Sequence, residues 1–401
     1  MTIEDGIFVD KNLLVLTSVY PDRTESFIGG IFVKNQVAEL KRYFRKVIVI
    51  APLFRSFGCF EKDRLCKDYT YDNVEVYYPR SIFPGTWPNK VLIDNQLRVV
   101  EWTIKKHHLH FDLIHAHFTW LSGYAGAHLK EKYNVPLVIT GHGGDVYSLP
   151  FKGNKWRGMV EYALNSADHI ITVSQSNLAC IKKLDVSTPV SIIPNGFRSN
   201  LFYPRDSSEC RRELNLLQDK KIILTVGNLT HIKGQLHLVE AVQRVTQERK
   251  DILCVIVGAG ELQTALGHQI RSLGLEDYVV LAGGKPHGEI PLWMNACDLF
   301  VLPSLNEGNP TVMFEALGCG KPFVGTRVGG VPEVISSDTF GLLVEPADPE
   351  DLAEKILMAL DRKWDREMIL KYAERYTWEN ISKEIMYVYR ALMLPDETTL
   401  I

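Results

Sequence analysis

The chain has 401 residues, 46% hydrophobic and 23% charged, a length and composition that describe a globular protein of two or three domains. Its 45 basic and 48 acidic side chains leave a net charge of −3, which excludes strong global attraction to nucleic acid. Seven scattered cysteines with no CxxC or Cys/His ligand spacing indicate neither a disulfide framework nor a zinc site, and buried, inert thiols are expected.

Residues 1–197 carry 23 basic and 19 acidic side chains, and residues 198–401 carry 22 and 29. A mildly basic first half suits an anionic surface or acceptor, although a difference this small is commonly incidental. The N-terminal segment MTIEDGIFVDKN has no basic stretch leading into an apolar one, and no window approaches a membrane span. A cytoplasmic protein is expected.

Short apolar runs without alternation fit strands buried on both faces, as in a parallel sheet. In the first half these are Leu13–Val19, Val47–Ala51, Val74–Tyr78, Leu113–His117, Leu137–Thr140, Ile170–Val173 and Val190–Ile193. Helices lie between them. One is predicted from about Ile31 to Phe44, with Val33, Val37, Leu40 and Phe44 on one stripe, and another carries Ile93, Leu97, Val100 and Ile104. The first pairs its stripe with Lys34, Lys41, Arg42, Arg45 and Lys46, a pattern read as a core helix with a solvated basic face. The alternative is docking on an anionic membrane.

The pattern restarts with Ile222–Val226, Leu253–Val257, Val279–Ala282, Leu299–Leu302, Phe323–Thr326 and Leu342–Val344. The expectation is two doubly wound α/β domains, 1–197 and 198–377, facing across a cleft. A last helix, about Trp378–Met393, has no strand after it, so the segment 378–401 is expected to return to the first domain.

The most informative stretch is Pro303-Ser304-Leu305-Asn306-Glu307-Gly308-Asn309-Pro310-Thr311, running on to Glu315. It follows a strand, at the end where open α/β sheets bind ligands. Asn309 is the expected N-cap and Pro310 the first helical residue. Such a helix start points free N–H groups at a diphosphate. Glu307 before the helix and Glu315 inside it can reach a donor sugar and a ribose. The plainer reading is a capped helix with two solvated acids.

Val226-Gly227-Asn228-Leu229-Thr230-His231-Ile232-Lys233-Gly234 also follows a strand and opens a helix, so Lys233 can meet an anion. Gly29-Gly30 open the first helix, either as a plain tight turn or where backbone must approach a phosphate or acceptor. Thr140-Gly141-His142-Gly143-Gly144-Asp145 places His142 in a glycine-rich loop, with Asp145 expected to orient it. His115 and His117 share a strand face and are read as cleft lining at best, and His107, His108 and His110 as a solvated helix end. Gly258-Ala259-Gly260 is half of a dinucleotide fingerprint and is read as a tight turn.

Glu307 and Glu315, with seven residues between, resemble the two-glutamate motif of retaining GT-B glycosyltransferases, especially glycosyltransferase family 4. Gly318-Cys319-Gly320-Lys321-Pro322-Phe323-Val324 and Gly329-Gly330-Val331-Pro332-Glu333 look like that family's next signature. The resemblance implies a GT-B fold of two Rossmann-like domains, the first binding acceptor and the second a nucleotide sugar. It implies that Glu307 contacts the donor sugar, that Glu315 binds the ribose, and that His142 contacts the sugar. Gly308, Asn309, Pro310 and Thr311 join Gly29, Gly30, Asp145 and Asn228 as expected substrate-binding positions. Where the family commonly has arginine, this chain has Asn228, which leaves the phosphates to Lys233, the helix N-terminus or another cation such as Arg327.

The expected reaction is retaining, metal-independent transfer of a hexose-type sugar from a UDP- or GDP-sugar to a glycan, lipid-linked or small-molecule acceptor. No cofactor and no protein nucleophile are expected. The expected location is cytoplasmic, with peripheral contact at the inner face of the membrane through the N-terminal domain as an option. The rivals are a GT-B epimerase or hydrolase and a non-catalytic nucleotide-sugar-binding protein. A dehydrogenase is disfavoured by the incomplete glycine fingerprint.

Overall fold

The apolar runs of the first half pair into one sheet because each strand buries both faces. In the computed structural model, which describes residues 7–27, 29–55, 65–82 and 89–394, the strands in chain order are β1 (Phe8–Leu16), β2 (Phe44–Ile50), β3 (Leu53–Arg55), β4 (Tyr69–Tyr71), β5 (Val74–Tyr77), β6 (Arg80–Ile82), β7 (Leu113–His117), β8 (Leu137–Gly141), β9 (His169–Thr172) and β10 (Val190–Ile192). Eight of them form a sheet of order β10-β9-β8-β7-β1-β2-β5-β4, parallel except for the β4–β5 pair, while β3 and β6 pair separately. The short strands β3, β4 and β6 carry no long apolar run, and the sequence did not single them out.

The second half supplies β11 (Lys221–Val226), β12 (Ile252–Val257), β13 (Val279–Gly283), β14 (Leu299–Leu302), β15 (Phe323–Thr326) and β16 (Gly341–Val344). They make an all-parallel sheet of order β13-β12-β11-β14-β15-β16. The order reverses direction between β11 and β14, and loops leaving these strands are therefore neighbours.

Most strand bounds move by one to three residues, and two elements differ by more. The helix predicted to Phe44 spans Ile31–Leu40, because Phe44 opens β2, pairs with Phe8 and is buried there. Strand pairing overrides the helical spacing at that position. β1 starts at Phe8 and stops at Leu16, after which Thr17 turns the chain by hydrogen-bonding the Val19 carbonyl.

The chain divides into two units, Met1–Pro194 with Trp378–Ile401, and Asn195–Thr377. The crossing lies three residues before the expected boundary, and Asn195 is tied to Asn309 within the second unit. The helix Trp378–Met393 packs on the helix Ile31–Leu40, and its Trp378, Ile381, Ile385, Met386 and Tyr389 join Leu13, Val15 and Val47 in one core. Burying each large apolar side chain contributes roughly 1.5–3 kcal/mol.

The basic residues near Ile31–Leu40 are largely neutralised. Lys34 pairs with Glu25 at 2.8 Å, Arg42 with Glu39 at 3.0 Å, Lys46 with Glu75 at 2.7 Å, and Lys41 with Asp72. The face thus presents paired charge. No helix among the described residues is long and apolar enough to cross a membrane. Five cysteines are buried free thiols and Cys180 is half-buried, while Cys59 lies outside the described residues.

Candidate active site

In the second unit the site is built where β11 and β14 pair. Their registers, Ile223 with Leu299 and Leu224 with Phe300, bring the two following loops side by side. The first loop closes in a 3-10 turn, His231–Lys233, ahead of the helix Gln235–Glu248. Its Ile232 carbonyl accepts from the Leu305 N–H at 2.8 Å, which stitches it to the second loop. Lys233 Nζ then donates to Glu307 Oε1 at 2.6 Å, and Ser304 Oγ donates to the same oxygen at 2.6 Å. Glu307 is buried and Lys233 about a quarter exposed.

The Glu307 loop is clamped from β15 as well. Thr326 Oγ1 donates to the Ser304 carbonyl at 2.5 Å, and the Gly330 N–H donates to the Gly308 carbonyl at 2.8 Å. Gly329 sits at φ +51°, and a Cβ there would lie 1.8 Å from the Glu307 carbonyl oxygen, so only glycine permits this approach.

Asn309 does not cap the following helix. Its Oδ1 accepts from the Asn195 N–H at 2.8 Å and its carbonyl from Asn195 Nδ2 at 2.9 Å, while Pro310 occupies the cap position and Thr311 starts the helix Thr311–Gly318. The Asn309 side chain is drawn to the backbone of the crossing segment, a long-range partner invisible in local sequence. One turn and a half on, Glu315 is buried, with Oε1 at 3.1 Å from His287 Nε2. Asn228 is exposed, and its carbonyl is held by Gln235 Nε2 at 3.0 Å. Arg327 is exposed and paired with Glu345 at 3.2 Å.

In the first unit, β7 and β8 are neighbours, with His117 opposite Thr140. His142, two residues beyond Thr140, thereby comes beside His117, and its Nε2 lies 2.9 Å from His117 Nδ1. Phe32 and Phe118 close on its ring at 4.7 and 5.0 Å. Burial pushes its pKa down to about 3, with a smaller contribution from His115, so the imidazole is neutral at ordinary pH.

Asp145 organises the loop backbone rather than the imidazole. Oδ1 accepts from the N–H groups of His142 and Gly143, and Oδ2 from that of Thr119, at 2.8–3.1 Å. Burial raises its pKa, while these backbone hydrogen bonds oppose the rise. His115 does not line a cleft. It is fully buried between Tyr389 Oη, 2.5 Å from Nδ1, and Thr140 Oγ1, 2.6 Å from Nε2. The apolar surroundings of β7 and the returning C-terminal helix account for the difference.

Gly30 takes φ +77° ahead of its helix, and a Cβ there would meet the Val19 carbonyl at 2.3 Å. A Cβ on Gly29 would strike the Phe27 ring at 2.3 Å. The Val19 carbonyl and the positive φ account for Gly30, whereas Gly29 meets only the far end of the half-buried Phe27 ring. Gly258 and Gly260 likewise face the backbone of Gly227 and Leu229, a tight βα turn. No group of three or more His, Cys, Asp or Glu among the described residues is disposed to hold a metal ion.

Two family profiles match the chain, Glycosyltransferase Family 4 over residues 30–200 and Glycosyl transferases group 1 over residues 206–376. A teichuronic acid biosynthesis glycosyltransferase of Bacillus subtilis, itself described as putative, is 32% identical over 86% of this chain and 88% of its own. The chain belongs to glycosyltransferase family 4. A D-inositol 3-phosphate glycosyltransferase of Acidothermus cellulolyticus is 30% identical over 72% of this family 4 chain and 69% of its own. Among solved structures, sucrose-phosphate synthase from Thermosynechococcus elongatus superposes with a TM-score of 0.79 at 24% identity, covering 96% of this chain and all of that one. Anabaena HepE in complex with UDP-glucose gives 0.72 at 22%, covering 95% and 100%. The fold is GT-B, and the protein is a glycosyltransferase.

Four residues of this glycosyltransferase make contacts that the sequence did not assign to them. Ser304 and His287 stand in strand-end loops, where the signal was available from position alone. His117 was noticed without its partner, and Asn195 was assigned only to a boundary. Their roles come from long-range pairings of 25 to 114 positions, except for Ser304, three residues from Glu307.

Proposed function

We propose that this enzyme transfers a hexose-type sugar from a UDP- or GDP-sugar to a hydroxyl of a glycan, lipid-linked or small-molecule acceptor, with retention and without a metal or cofactor. The observation that carries the reading is the Lys233–Glu307 pair at the carboxyl ends of β11 and β14, with Glu315 on the next helix. A fixed ammonium there neutralises charge on a departing diphosphate, the role a divalent cation plays elsewhere. Glu307 accepts hydrogen bonds from sugar hydroxyls, and Glu315 from a ribose. The second unit is thus the donor-binding unit, and the first, carrying His142, the acceptor-binding one.

Retention fits a front-face attack through a short-lived ion pair, with the diphosphate taking the acceptor proton, so no protein nucleophile is assigned. Relatives named for teichuronic acid and inositol phosphate glycosylation support a hydroxyl acceptor, and HepE's complex with UDP-glucose makes UDP-sugars the first donors to screen. The test is a thermal-shift screen of UDP- and GDP-sugars, followed by mass spectrometry of products with candidate acceptors and determination of anomeric configuration. Product of inverted configuration, or free sugar and epimer without transfer, would overturn the reading.

A further inference from the structure

The two glutamates of the second unit are held alike. Glu307 gives Oε1 to Lys233 and Ser304, and Glu315 gives Oε1 to His287 Nε2 at 3.1 Å. In each, Oε2 makes no hydrogen bond among the described residues, yet it is not one of their enclosed, unpartnered side-chain atoms, so it opens to solvent. One oxygen is anchored by the protein and the other is left for a ligand.

The anchor of Glu315 is itself fixed. His287 opens the 3-10 turn His287–Glu289 after β13, and that turn runs into the helix Ile290–Ala296. This helix packs on the helix Thr311–Gly318, which carries Glu315. The His287 ring is 5% exposed, and the buried Phe202 ring stands 5.4 Å from it at 59°. Glu315 is 4% exposed, a burial at which a carboxyl needs a partner.

Whichever of the two atoms carries the shared proton, Oε1 is engaged by the ring and Oε2 keeps lone pairs to accept with. A free glutamate side chain turns about three torsions, and ordering it on binding costs affinity. Tied through Oε1, this one is ordered before the ligand arrives.

We infer that His287 is a positioning residue that fixes the carboxyl plane of Glu315 through Oε1 and presents Oε2, preset, to a ribose hydroxyl of the nucleotide. The inference rests on the proposed ribose role of Glu315. Its consequence is specific. His287 governs how well the enzyme tells a ribonucleotide from its deoxy form, a preference to which the base and the phosphates do not contribute.

The experiment is calorimetry of the full chain with UDP or GDP, whichever the wild type binds more tightly, and with the 2′-deoxy and 3′-deoxy forms of that nucleotide. The wild type is expected to bind one deoxy form about tenfold more weakly or worse, as loss of a hydrogen bond to a charged group requires. Glu315→Ala and His287→Leu should each lose most of that discrimination. His287→Gln, whose terminal amide offers both a donor and an acceptor near the place of Nε2, should keep it. If His287→Leu does not fold, His287→Asn takes its place, being polar but too short to reach Oε1. A role confined to packing would weaken ribo and deoxy forms alike and leave their ratio at the wild-type value. That ratio, unchanged in folded His287→Leu while Glu315→Ala loses it, would overturn the inference alone, as would a loss in His287→Gln as complete as in His287→Leu. Full discrimination in Glu315→Ala would remove the ribose assignment itself, and the inference with it.

Discussion

Lys233 and Glu307, 74 positions apart, meet as an ammonium and a carboxylate at 2.6 Å. They act as one electrostatic unit, so a change at either alters the other. Lys233→Ala is expected to lower turnover at donor saturation tenfold to a hundredfold, about 1.4–2.8 kcal/mol. Combined with Glu307→Gln, the loss should fall short of the sum of the two single effects, as groups in contact usually do. Additive losses in a kinetic double-mutant cycle would show that the pair does not act together in the reaction. Asn228→Arg should recover part of the Lys233→Ala loss. No rescue would place position 228 away from the phosphates, where its exposed side chain turns the loop and nothing more.

Glu315 faces a different task. Glu315→Ala should weaken nucleoside diphosphate binding tenfold or more, about 1.5–3 kcal/mol for a charged hydrogen bond. Glu307→Ala should spare that affinity and chiefly reduce kcat. Calorimetry with UDP and with GDP measures this directly. An unchanged affinity in Glu315→Ala would remove the ribose assignment.

Gly329 controls the backbone of Glu307. Gly329→Ala combines φ +51° with a Cβ 1.8 Å from the Glu307 carbonyl, so both Tm and kcat should drop. Gly274→Ala is the control. Its φ is +64°, with nothing within 4 Å of the new Cβ, and it should cost only the backbone strain, about 1 kcal/mol, with activity retained. Equal losses in the two variants would mean that the close approach to Glu307 is unimportant.

How much of this was open to sequence reading differs by scale. The strand runs were legible because parallel strands bury both faces, and Leu113–His117 and Phe323–Thr326 have the predicted bounds. Phe44 was misplaced because its helical spacing is real, while its pairing with Phe8 is decided 36 positions away. The glutamates were legible from their spacing and loop position. The partners of Glu315 and Asn309 were not, since a side chain's choice between capping its own helix and bonding Asn195 depends on what the fold brings near.

The buried imidazoles make stability depend on acid. His115 and His142 are depressed to about 3, and His117 also falls well below 6.5, all through burial. A depressed folded pKa means that the unfolded chain binds the proton first. The contribution is therefore complete above about pH 6.5 and lost as pH falls toward 3, by about 1.4 kcal/mol per pH unit for each imidazole. Chemical denaturation between pH 6 and 4.5 should show a slope steeper in the wild type than in His115→Gln by about one proton. Equal slopes would mean that His115 protonates within the folded protein.

Transfer should persist in excess chelator, because the proposed phosphate site relies on Lys233 and a helix N-terminus. Activity abolished by chelator and restored by magnesium or manganese would overturn that part of the proposal.

The returning helix Trp378–Met393 makes the first unit a discontinuous one, built from both ends of the sequence, whereas the second, residues 195–377, is one continuous stretch. Tyr389 satisfies His115, and Trp378 and Ile385 seal the core behind β1. A chain cut before Trp378 would thus keep every strand of both sheets, yet leave His115 Nδ1 without the tyrosine hydroxyl and the helix Ile31–Leu40 without its apolar cover.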